Sequence, residues 1–151
     1  MMFIHGGSYD TGGSSVAYYD GTNLVQDHDD LIVVTYRILL FGHSAGAASA
    51  DIHSYAYPDN PIVRAIALHS GTAPLLTSAP DHRNWNELST AVGCGVGAQS
   101  FQCMKKVPAM KIVETRARGN YTFHPIVDNV LVFSDYGARA EMGKLARLVC
   151  I

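Results

Sequence analysis

The pentapeptide Gly42-His43-Ser44-Ala45-Gly46 constrains this chain more than any other stretch. It lies between an apolar run, Ile38-Leu39-Leu40-Phe41, and a stretch rich in alanine that follows without a break. Glycines two residues before and two residues after a serine allow a sharp passage from strand into helix, and that passage pushes the serine hydroxyl out of the fold. A strand must therefore end, and a helix begin, at Ser44. The upstream sequence His5-Gly6-Gly7-Ser8 is a second glycine-rich turn, of the kind that aims backbone N–H groups at a developing oxyanion.

The rest of the chain reads as an α/β protein. Residues 2–4 suit the end of a strand that starts earlier, and residues 5–15 a loop rich in glycine and serine. Residues 31–35 and 38–41 are continuous β-branched and leucine runs, as in strands buried on both faces. Residues 45–55 read as the helix after the turn, their small side chains allowing close packing on a sheet. Residues 64–68 form another short strand, closed by His69-Ser70-Gly71. Helix is expected over residues 84–92, with Trp85 and Leu88 on one face, and helical turns over 101–106 and 110–116. Residues 126–133 suit a strand or extended segment, and residues 136–145 have helical composition interrupted by Gly137 and Gly143. Parallel neighbours need a crossover of a dozen or more residues, but only Tyr36 and Arg37 separate residue 35 from residue 38. Either residues 31–41 are one extended segment feeding the turn, or a crossover has been lost.

The length of 151 residues fits one domain, and 48% hydrophobic with 16% charged residues supports a sizeable core. A net charge of −2 gives no reason to expect a nucleic-acid or anionic-membrane partner. The seven histidines are scattered, without metal-ligand spacing; neither metal nor cofactor is expected. No stretch is long and apolar enough to span a bilayer, and no basic start with a cleavage site marks a signal peptide. Localisation and oligomeric state are left open.

In order along the chain, the motifs resemble those of the type B carboxylesterases, the family of cholinesterases and fungal lipases. Residues 2–9 are similar to that family's strand and oxyanion loop, as are Tyr18-Tyr19-Asp20-Gly21 and residues 31–37 to the segments after it. Leu40 through Ser49 match its serine signature. Ala67-Leu68-His69-Ser70-Gly71, Trp85 with Gly93-Cys94 and Cys103, and Pro125-Ile126-Val127-Asp128 also fit. The resemblance implies a partial α/β-hydrolase fold with an incomplete, mostly parallel sheet, one domain over residues 1–151, and a truncated, internally deleted member of the family. It implies a carboxylic ester hydrolase acting on a small-molecule ester through an acyl-enzyme, and a family whose members are often secreted.

By resemblance, Ser44 is the nucleophile, and the N–H groups of Gly7, Ser8 and Ala45 form the oxyanion hole. The family's acidic residue and histidine are not recognisable downstream. His69, at the end of the strand expected beside the turn, is a candidate surrogate base, against the plainer reading of a strand-end histidine. His124 and Asp128 are weaker candidates. His43 reads as structural. The alternative to catalysis is an inactive esterase fragment acting as a binding or interaction module. In the resembled family a pair such as Cys94 and Cys103 is bridged; the alternative is two reduced thiols. Cys150 has no assigned role.

Overall fold

A computed structural model describes residues 2–13, 16 and 38–151. The expectations for residues 17–37, including the strand at 31–35, fall outside the described residues. The described residues form two compact units, one of Met1–Ala79 with His124–Ile151, the other of Pro80–Phe123.

The first unit is built on a parallel sheet in the order β1 (Met2–Ile4), β2 (Ile38–His43), β3 (Val63–His69), β4 (Val149–Cys150). The registers Met2↔Leu40↔Ile66↔Cys150 and Phe3↔Phe41↔Ala67 run across the strands and assign alternate residues to opposite faces. Helix α1 (Ala45–Ala56) packs on the face that carries Leu40 and Ile66. Ala47, Ala48 and Ala50 of this helix are fully buried, so the run of small residues does bring helix and sheet close together. The cluster of Leu40, Ala50, Val63 and Ile66 is the core beneath the turn. On the opposite face Phe3 stacks on Phe41, ring centroids 4.8 Å apart, and Phe3 stays partly exposed. Residues 38–41 are extended and run straight into the turn, as the sequence predicts.

Beyond the sheet come α2 (Ala73–Leu76), unannounced by the sequence, and α6 (Tyr136–Glu141). Ala73, Phe133 and Tyr136 make a second small core with Ile52 and Tyr55 of α1. Residues 126–133 differ from expectation. Only Ile126 makes a bridge, to Ser78, and the chain then folds into a tight loop. The carboxylate of Asp128 dictates this: its Oδ1 accepts the N–H groups of Val130, Leu131 and Val132, each at 2.9 Å. A side chain that satisfies three successive N–H groups removes the donors a strand would need. The two-residue strand β4 is too short to show any periodicity.

The second unit holds α3 (Arg83–Ala91), α4 (Ser100–Met104) and α5 (Ala109–Gly119). Leu88, Val92 and Met104 form its core, with Trp85, Ile112 and Tyr121 packed around them. Cys94 and Cys103 are disulfide-bonded with Cα atoms 5.5 Å apart, within the usual range for a bridge. Cys150 is free and exposed.

Candidate active site

The strand-to-helix turn is formed as the pentapeptide requires. Ser44 has φ 54° and ψ −117°, a conformation that costs a non-glycine residue free energy and persists only when its surroundings fix it. Three contacts do so. The N–H of Ser44 donates to the carbonyl oxygen of His69 at 2.8 Å, extending the β2–β3 ladder by one residue. Its carbonyl accepts the N–H of Ala48 at 3.0 Å, starting α1. The glycines supply the third. A Cβ on Gly46 would overlap the backbone carbonyl of Ile4, and one on Gly42 would overlap the backbone of Gly46. Both positions therefore exclude side chains where strand and helix meet at the turn.

The glycine-rich loop lies against the same turn. A Cβ on Gly6 would stand 2.9 Å from His43 Nδ1 and 3.1 Å from Ser44 Cβ. Beyond Gly6 the backbone takes positive φ at three successive residues: Gly7 at 128°, Ser8 at 53° and Tyr9 at 63°. The carbonyl of Gly7 accepts the N–H groups of Asp10 and Thr11, both at 2.9 Å, which closes the loop. Among the described residues, the N–H groups of Gly7 and Ser8 have no hydrogen-bond acceptor. Ser44 is half-buried and Ala45 is 3% exposed.

Two residues that sequence reasoning missed join the loop to the helix. Tyr9 Oη and Ser49 Oγ are 3.2 Å apart, and Ser49 Oγ also donates to the Ala45 carbonyl at 2.9 Å. The spacing of Ser49 from Ala45, one helical turn, is visible in the sequence; its partner 40 positions upstream is not. Burial raises the Tyr9 pKa above the ordinary phenol value, so the hydroxyl keeps its proton at neutral pH. These side chains, with His5, Gly6, Ala45 and Gly46, line a cleft of about 350 Å³.

The candidate bases are placed differently. His69 is paired with His43 at the strand ends, and its backbone carbonyl accepts the N–H of Ser44. The His69 side chain is exposed. Among the described residues, Ser44 Oγ makes no hydrogen bond. His124 is exposed, and the Asp128 carboxylate is committed to its own loop. Asp51, further along α1, accepts the N–H of Ala73 at 2.8 Å, and burial raises its pKa. It ties α1 to α2. No cluster of His, Cys, Asp and Glu able to hold a metal ion occurs among the described residues.

A parallel sheet whose strand delivers a strained serine into a helix beside a glycine loop defines the α/β-hydrolase class. The sequence profile of the carboxylesterase family matches residues 36–143, and the chain belongs to that family. Among its relatives are the chlorogenic acid esterase of Aspergillus niger, 38% identical over 123 residues, and cholinesterase 2 of Branchiostoma lanceolatum, 32% identical over 120. The first similarity covers 76% of this chain and 24% of the relative, the second 72% and 36%. Secreted lipase 5 of Gibberella zeae is 26% identical over 202 positions, covering 92% of this chain and 38% of the relative. The chain thus spans between about a quarter and two-fifths of the length of these curated relatives.

Proposed function

We propose that this chain carries the nucleophile and oxyanion half of a carboxylic ester hydrolase. Ser44 Oγ attacks the ester carbonyl, the N–H groups of Gly7, Ser8 and Ala45 receive the negative charge on the carbonyl oxygen, and the alcohol leaves as an acyl-enzyme forms. The observation that carries this reading is the strained Ser44 at the β2–α1 junction, with Gly6 of the glycine loop packed against it. Membership of the carboxylesterase family supports the reaction class, and the whole of residues 1–151 is read as part of that one domain. By analogy with the A. niger relative, chlorogenic acid is a suitable test ester beside simple p-nitrophenyl esters.

A serine needs an adjacent base to act at neutral pH. Without one, oxyanion stabilisation and binding alone leave roughly 10³–10⁴-fold acceleration over water. Slow turnover is therefore expected unless His69 supplies the base. The second reading, an inactive esterase fragment that binds without turning over, is favoured by the Ser44 hydroxyl, which makes no hydrogen bond among the described residues. Labelling by a fluorophosphonate probe separates the two. The hydrolase reading expects covalent modification of Ser44 that vanishes in Ser44→Ala, with p-nitrophenyl acetate turnover falling in parallel. No label, and turnover indifferent to Ser44→Ala, would favour the inactive fragment.

A further inference from the structure

We propose that the Tyr9–Ser49 hydrogen bond is a positioning clamp that pins the glycine loop to the first turn of α1 and so fixes the N–H groups of Gly7 and Ser8 relative to that of Ala45. The oxyanion role of those N–H groups rests on the function proposed above; the clamp itself does not.

Three observations carry it. Ser8 and Tyr9 both hold left-handed backbone without being glycine, at φ 53° and 63°. Two adjacent residues in that region are disfavoured, and outside contacts have to hold them there. The bonds from Asp10 and Thr11 to Gly7 close the loop on itself. The Tyr9 hydroxyl ties it to α1. Ser49 has one hydroxyl proton, and the Ala45 carbonyl takes it at 2.9 Å. The Tyr9 hydroxyl then donates to Ser49 Oγ across 3.2 Å. The chain Tyr9–Ser49–Ala45 therefore runs from the loop to the residue whose N–H opens the helix. The two halves of the hole lie on separate segments of the chain, and a fixed separation is what stabilises charge without reorganisation.

Tyr9→Phe removes the donor and leaves the ring; Ser49→Ala removes the acceptor. The first measurement is amide hydrogen exchange over residues 6–12 in each variant and in the pair, and it needs no activity. Exchange faster by about tenfold in either single variant, with no further gain in the double, is expected. Exchange at the wild-type rate in both would overturn the clamp. The second is p-nitrophenyl acetate kinetics. Both single variants should lose kcat about tenfold or more with KM little changed, because the donors matter most once charge develops, and Ser49→Thr should restore it. Equal losses in kcat and stability without rescue by threonine would reduce the contact to ordinary packing. Should wild-type turnover prove indifferent to Ser44→Ala, the hydrolase reading falls, and the exchange result alone decides the clamp.

Discussion

The N–H of Ser44 donates to the carbonyl oxygen of His69 across 2.8 Å, so the candidate nucleophile is tied to the backbone of the neighbouring strand. Fold and chemistry can therefore be separated at His69. His69→Ala keeps the backbone bond and should leave the unfolding free energy within about 0.5 kcal/mol of wild type, as for an exposed site. If the ring acts as a surrogate base, the same variant should lose p-nitrophenyl ester turnover by about 10²-fold or more. Turnover unaffected by the substitution would remove His69 from the reaction.

Gly46→Ala should be more damaging than its single methyl suggests. The added carbon meets the backbone carbonyl of Ile4, which cannot swing aside as a side-chain end would. Strand β1 or the start of α1 has to shift, at about 1–3 kcal/mol. Urea unfolding should show a lower midpoint with an unchanged slope. A midpoint equal to wild type would mean that β1 does not press on the helix.

Reduction should act on the second unit. The Cys94–Cys103 bridge closes a short loop between α3 and α4, and a loop of this size contributes about 2–3 kcal/mol in the chain-entropy account. Exchange at the core residues Leu88 and Val92 should accelerate after mild reduction or in Cys94→Ser. Protection that survives reduction would show that the core of Leu88, Val92 and Met104 suffices.

The loop at Asp128 should loosen in acid. Three backbone N–H groups bind its carboxylate and hold its pKa below the ordinary aspartate value. A depressed folded pKa stabilises above the unfolded value, near 4, and that stabilisation fades as pH falls through the folded pKa. Amide exchange over residues 130–132, corrected for intrinsic rates, should rise below about pH 4, and Asp128→Ala should show the same rise at pH 7. Asp51 has the opposite sign: burial raises its pKa, so its charged form costs stability as pH climbs through the folded value. Asp51→Asn, which still offers an oxygen to the Ala73 N–H, should melt higher than wild type at pH 7 and lose that advantage toward pH 4. A lower melting temperature at both pH values would show that the carboxylate charge itself holds α2.

Legibility varied with the range of the interactions involved. The turn at Ser44 was visible because the two glycines, the apolar run before it and the alanine run after it all favour one local geometry. Strand β3 and helices α1 and α3 were visible through continuous apolar runs or one-faced periodicity. The segment at 126–133 misled because its apolar residues suit a strand, while one carboxylate captured the donors a strand would use. Strand β4 and helix α2 were too short to carry a pattern.

The α/β class, the strand-to-helix passage at Ser44 and the identity of the candidate nucleophile are all written locally, because each follows from neighbouring residues and their backbone preferences. Tertiary structure alone decided that His69 holds Ser44 through its carbonyl, that Tyr9 reaches Ser49, and that Gly46 lies against Ile4. Each of those contacts joins positions more than 20 residues apart. No periodicity or spacing encodes them; they arise when the parallel registers of β1, β2 and β3 bring the ends of three strands to the start of one helix.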